Sequence, residues 1–177
     1  FKFFSSIRAE YITEKLISAI EDQCESVLIG VESVVPRVSK LILKDNDSED
    51  VRKAARILSK SKVKAYYSFM TGFPGETKAE TLANMDFADE LRTIDPKSAI
   101  TSFFLCTAFP GTKLYQYALE QGFDEPKDLE SWCKFRFSEI NMPWINREKE
   151  YFTDLYGMSM MIYLKPDAYR ATDFESN

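Results

Sequence analysis

The sequence predicts an α/β protein built on a parallel sheet, with a mostly helical, aromatic-rich extension behind it. Three observations carry that expectation. Short apolar runs at residues 2–7, 26–31, 63–70 and 99–106 alternate with stretches of helical periodicity. Two of those runs are followed closely by Pro-Gly turns, Pro74-Gly75 and Pro110-Gly111. The alternation then stops near residue 123, where aromatic residues become frequent.

Each element has its own justification. The opening strand, residues 2–7, is followed from about Thr13 by a helix with Leu16, Ile17 and Ile20 on one face. SVLIGV at 26–31 is a continuous apolar run, the pattern of a strand covered on both faces. A short helix over Pro36–Leu43 precedes the acidic cap Asp47-Ser48-Glu49-Asp50. The next helix places Val51, Ala54, Ala55 and Leu58 at the i, i+3, i+4, i+7 spacing of a buried stripe. After the strand at 63–70, Thr77 and Glu80 have capping-box spacing, opening a helix expected to bury Leu82, Met85, Ala88 and Leu91. AITSFFLC at 99–106 is the fourth strand, and Thr112 begins a helix ending near Gly122.

Beyond 123, Trp132, Phe135, Phe137, Trp144, Tyr151, Phe152 and Tyr156 suit core packing, a cover over the sheet or a substrate lining. A helix over about 147–164 is expected there, and the tail after Pro166 is polar. This gives two expected parts, 1–122 and 123–177.

Composition narrows the chemistry. With 177 residues, 45% of them hydrophobic, the chain holds enough material for one cored domain. It contains no His, which removes His-based triads, His metal sites and the commonest general acid–base. A net charge of −5 without a basic run disfavours nucleic acid as a direct partner. No apolar stretch approaches the ~18 residues of a membrane span. Cys24, Cys106 and Cys133 are too far apart for a local metal knot, and such sparse thiols suit buried positions in a cytosolic protein. A chain that starts without Met and enters a strand at once is expected to be a piece of something longer.

Repeated βα units give a sheet that is open or curled into a barrel, with chemistry at the carboxyl ends of the strands. Four strands do not close a barrel, so further strands upstream are expected. Three motifs stand at those strand ends: Gly30-Val31-Glu32-Ser33, Gly72-Phe73-Pro74-Gly75-Glu76, and Phe109-Pro110-Gly111-Thr112-Lys113-Leu114-Tyr115. In this order they resemble the second half of radical S-adenosylmethionine enzymes, nearest to the branch that often carries an upstream cobalamin domain. The resemblance covers about residues 1–122.

It implies a partial parallel (β/α) barrel of six units, of which this chain would be the last four. It also implies S-adenosylmethionine and a four-iron four-sulfur cluster as cofactors, with cobalamin as a further candidate. The family's CxxxCxxC loop, which holds the cluster, is absent from this sequence. The missing upstream half of the same polypeptide would then be a partner, with a small molecule as substrate. In the intact enzyme the implied chemistry is reductive cleavage of S-adenosylmethionine to a 5′-deoxyadenosyl radical; the chain alone is expected to be inactive.

Carried onto this chain, the resemblance gives Glu32 and Ser33 at one strand mouth, near the cofactor's ribose or methionine. Arg8 would lie near the same methionine, and Lys44, twelve residues beyond Glu32, toward its carboxylate. Met70 would press on the adenine, Gly72 would let the chain turn beside it, Glu76 would brace that turn, and the backbone from Thr107 to Phe109 would meet the adenine edge. Ser68 stands where the family has a glycine.

The same residues also suit plainer work: Glu32 and Ser33 as helix caps, Gly72 and Gly75 as ordinary turn residues, Arg8 in a surface ion pair, Lys44 in solvent. Two other classes stay open. One is an α/β enzyme using Glu32 or Glu76 as a general base, and the other a non-catalytic binding or scaffold module.

Overall fold

In the computed structural model, residues 1–44, 47–134 and 142–145 are described. A four-stranded sheet runs in the order β1 (Phe3–Ser6), β2 (Cys24–Glu32), β3 (Lys64–Thr71), β4 (Ala99–Leu105). β1 pairs parallel with β2, and β2 parallel with β3. The intervening helices are α1 (Glu14–Ile20), α2 (Pro36–Leu41), α3 (Ser48–Ser59) and α4 (Lys78–Ile94), with α5 (Lys113–Glu120) and α6 (Leu129–Lys134) after β4. This is the α/β order that the sequence predicts.

The chain divides into two compact units, Phe1–Met70 with Thr77–Ser102, and Thr71–Glu76 with Phe103–Asn177. In the first, strand alternation sorts the side chains of the sheet by face. Val27, Ile29 and Val31 of β2 and Ala65, Tyr67 and Phe69 of β3 are fully buried. Leu28, Gly30, Glu32, Tyr66 and Met70 occupy the opposite face and stay partly open. Val51, Ala54, Ala55 and Leu58 form the buried stripe of α3. Asp47 starts that helix by accepting the Glu49 N–H at 2.9 Å.

The capping box of α4 is formed, with Thr77 and Glu80 each accepting the other's backbone N–H. Its buried face, however, is turned from the expected one. Met85, Ala88 and Leu91 are buried, but Leu82 is exposed, and Thr81, Asn84 and Phe87 lie inside. The reason is a polar one: Asn84 accepts the Val34 N–H at 2.8 Å, which fixes the roll of the helix.

In the second unit, α5 begins at Thr112, whose hydroxyl accepts the Tyr115 N–H at 3.1 Å. Gly122, at φ 84°, ends it, and the Phe123 N–H bonds back to the Ala118 carbonyl. Tyr115 packs edge-on against Phe123, and its hydroxyl bonds Glu125. The helix expected over 147–164, together with Phe135, Phe137, Tyr151, Phe152 and Tyr156, lies outside the described residues. Among the described residues no helix is long and apolar enough to cross a membrane.

Candidate functional site

The end of β2 departs from regular strand geometry. The register with β3 shifts between Gly30 and Glu32, and Glu32 has a φ of 60°. The Ser33 N–H bonds the Val31 carbonyl at 2.8 Å, closing a three-residue γ-turn around Glu32. A residue with a β-carbon is disfavoured in that left-handed region, by roughly 1–2 kcal/mol. Such outliers persist only where their surroundings hold them.

The restraint comes from Lys44. Its Nζ donates to Glu32 Oε1 at 2.9 Å and to the Gly30 carbonyl at 2.8 Å. Lys44 is delivered there by the way α2 stops. The Leu43 N–H bonds the Lys40 carbonyl, the Lys44 N–H bonds the Ser39 carbonyl, and Leu43 takes a φ of 53°. This is the Schellman ending, with leucine where glycine is usual.

Gly30 completes the arrangement, because a Cβ there would meet Lys44 Nζ at 3.0 Å and collide with Glu32 Oε1. The ion pair is about one-fifth exposed on either side. Beside it lies a cleft of about 340 Å³, lined in part by Val34, Ser39 and Lys44.

Ser33 is buried, and its hydroxyl is committed within the chain. It donates to Asn84 Oδ1 at 3.2 Å and accepts from the Val35 N–H at 3.2 Å. Arg8, after β1, pairs with Glu10 at 2.6 Å on a half-exposed surface. Met70 is half-buried on the open face of β3, the face that also carries Glu32 and Gly30. Ser68 lies opposite Gly30 in the ladder.

In the second unit, Glu76 fastens the turn that follows β3. Its Oε2 accepts the Thr71 hydroxyl at 3.1 Å, the Phe73 N–H at 3.0 Å and the Gly72 N–H. Gly72 needs its lack of a side chain for its φ of 78°; a Cβ there would only touch Ile145 and Leu105, at 3.5 Å. The Trp144 indole N–H donates to the Gly72 carbonyl at 2.9 Å, and its ring packs on Tyr117. Thr107 is half-buried, with its hydroxyl donating to the Leu105 carbonyl.

Three residues that carry this geometry were not singled out as site residues from the sequence: Gly30, Asn84 and Trp144. A glycine inside a strand signals close approach, and a polar residue on an apolar helix face signals a buried hydrogen bond. Trp144 has no such local signal.

Among the described residues no three His, Cys, Asp or Glu side chains are grouped to hold a metal ion. Cys24 and Cys106 are buried and Cys133 is exposed, and all three are free thiols. Burial, with Glu76 nearby, pushes the Cys106 thiol up to about 12, and burial raises Cys24 as well. Two buried thiols and one exposed thiol, with no grouping of three donors among the described residues, do not make the ligand set of an iron–sulfur cluster.

No protein-family model matches the chain. It is 34% identical over 116 residues to an uncharacterized methyltransferase of Pyrococcus horikoshii, a match spanning 65% of this chain and 24% of the relative. It is 26% identical over 151 residues to a tRNA uridine(34) acetyltransferase of Methanocaldococcus infernus, spanning 80% of this chain and 27% of the relative. The chain thus spans about a quarter of the length of the curated relatives it matches.

Among solved structures, the radical S-adenosylmethionine methyltransferase TsrM from Kitasatospora setae, with cobalamin and a [4Fe-4S] cluster bound, superposes at a TM-score of 0.59. That match has 18% identity and covers 68% of this chain and 23% of TsrM. The archaeal Methanocaldococcus infernus Elp3 superposes at 0.56 with 24% identity, over 69% of this chain and 28% of Elp3. The resemblance carried by the strand-end motifs is thereby borne out: in fold this chain is similar to part of a radical S-adenosylmethionine methyltransferase, and in sequence to parts of a methyltransferase and of a tRNA acetyltransferase.

Proposed function

We propose that this chain contributes part of the S-adenosylmethionine pocket of a longer radical enzyme. When bound, the cofactor and its cluster supply one-electron cleavage at the sulfonium. The cluster's ligands would come from the upstream half of the same polypeptide, since the thiols here do not fit that role. An upstream cobalamin domain agrees with the likeness to the cobalamin-bound methyltransferase.

The observation that carries the proposal is Glu32, a carboxylate held in a left-handed turn at the carboxyl end of a parallel strand. That is where parallel α/β folds place their ligands. A fixed carboxylate accepts both hydroxyls of a ribose diol. Ser33 then holds the turn from beneath, and Met70 offers a polarizable apolar surface to a base. The two curated relatives carry names for different reactions, and the cofactor end is what such enzymes would share.

The test is anaerobic calorimetry of S-adenosylmethionine with the full-length protein carrying its reconstituted cluster. Micromolar binding is expected, with a loss of tenfold or more in Glu32→Gln. No heat with the wild-type protein would point to a scaffold instead. The chain alone should not turn the cofactor over; release of 5′-deoxyadenosine by residues 1–177 without the upstream half would contradict the division of labour.

A further inference from the structure

We infer that Lys44 is a positioning residue for Glu32, acting through that carboxylate rather than by grasping the carboxylate of the cofactor's methionine. The inference rests on the reading of Glu32 as a ribose ligand. Three observations support it. Two of the three ammonium donors of Lys44 are already committed, to Gly30 O at 2.8 Å and Glu32 Oε1 at 2.9 Å. With Oε1 held by Lys44 and the backbone closed into the γ-turn, the positions open to Glu32 Oε2 are restricted.

The second observation is steric. Lys44 Nζ lies 3.0 Å from where a Gly30 Cβ would stand, so the ammonium rests directly on the β2 backbone. Turning it toward a distant carboxylate would abandon the Gly30 carbonyl, a half-buried acceptor. The third lies in the chain path. Leu43 adopts φ 53° without being glycine, and the Schellman ending of α2 that results presents Lys44 to β2. Among the described residues, Glu32 and Leu43 are the only non-glycine residues with positive φ, and both serve this one pair.

The two roles differ in which fragment of the cofactor feels the lysine. The full-length, cluster-loaded protein is titrated with S-adenosylmethionine, with 5′-methylthioadenosine, which keeps the ribose and lacks the amino acid, and with L-methionine. For a positioning role, Lys44→Met weakens S-adenosylmethionine and 5′-methylthioadenosine by the same factor, about tenfold. Methionine is unaffected. Glu32→Gln gives a similar pattern, the double variant loses no more than the worse single one, and Lys44→Arg recovers most of the affinity because a guanidinium can also span both acceptors.

Circular dichroism checks that each variant is folded. Loss of S-adenosylmethionine and methionine binding with 5′-methylthioadenosine untouched would overturn the inference and leave the proposed function standing. So would additive effects in the double variant, or no change at all. Failure of the wild-type protein to bind either nucleoside sinks the proposed function, and this inference with it.

Discussion

A non-glycine residue at φ 60°, such as Glu32, sits in a backbone region made unfavourable by its own β-carbon. Gly30 two residues earlier makes room for the side-chain atoms that hold it there. Gly30→Ala tests this directly. Its Cβ would meet the mobile ends of Glu32 and Lys44, not backbone, so the pair separates and the fold survives. The melting temperature should fall by only a few degrees while S-adenosylmethionine affinity in the full-length protein drops about as far as in Glu32→Gln. A collapse of the melting transition would instead make Gly30 a folding requirement. Leu43 is 70% exposed, so little buried surface is lost on its replacement. Leu43→Gly relieves the left-handed strain and should raise stability by about 0.5–1 kcal/mol, after the entropy that glycine adds to the unfolded chain. Urea midpoints measure it.

At the scale of an element, α4 depends on its first turn. Glu80 accepts from Arg37 at 2.9 Å and also closes the capping box through the Thr77 N–H, and these bonds, the Arg37 one foremost, hold its carboxyl down at about 2, against an ordinary value of 4.5. A carboxyl whose value is depressed by folding adds stability at pH above its unfolded value, and loses it as pH falls toward the folded value. The sensitive window therefore runs from about pH 4.5 down to about pH 2. Glu80→Gln keeps an acceptor for the Thr77 N–H and removes the charge. Urea midpoints taken at pH 6 and pH 3 should fall further in the wild-type protein than in Glu80→Gln, to the extent that this one group contributes. Equal falls would mean that the Arg37 pair adds nothing measurable, as happens for many partly exposed ion pairs.

For the molecule as a whole, the open edge of the sheet matters most. β1 is an edge strand, and Phe4 on it is 81% exposed. An apolar side chain on an unpaired parallel edge is a template for another strand. Residues 1–177 in isolation should therefore self-associate in a concentration-dependent way, seen by sedimentation velocity. Phe4→Lys should reduce that association without shifting the melting temperature. A monomeric wild-type chain at high concentration would remove the argument.

Much of the framework was legible in the residue order because it is local. The buried stripe of α3, from Val51 to Leu58, follows from the 3.6-residue period, and the caps at Asp47, Thr77 and Thr112 from side chains bonding backbone a turn away. The four strands fell where the apolar runs lie. Tertiary structure alone decided what depends on groups distant in sequence. It rolled α4 so that Asn84 went in and Leu82 came out, because the Val34 N–H needed an acceptor. It brought Lys44 back onto Gly30 and Glu32, and laid Trp144 on Gly72. A helical or strand period is written in neighbouring residues, whereas the partner of a buried polar group is chosen by whichever segment the fold brings within hydrogen-bonding reach.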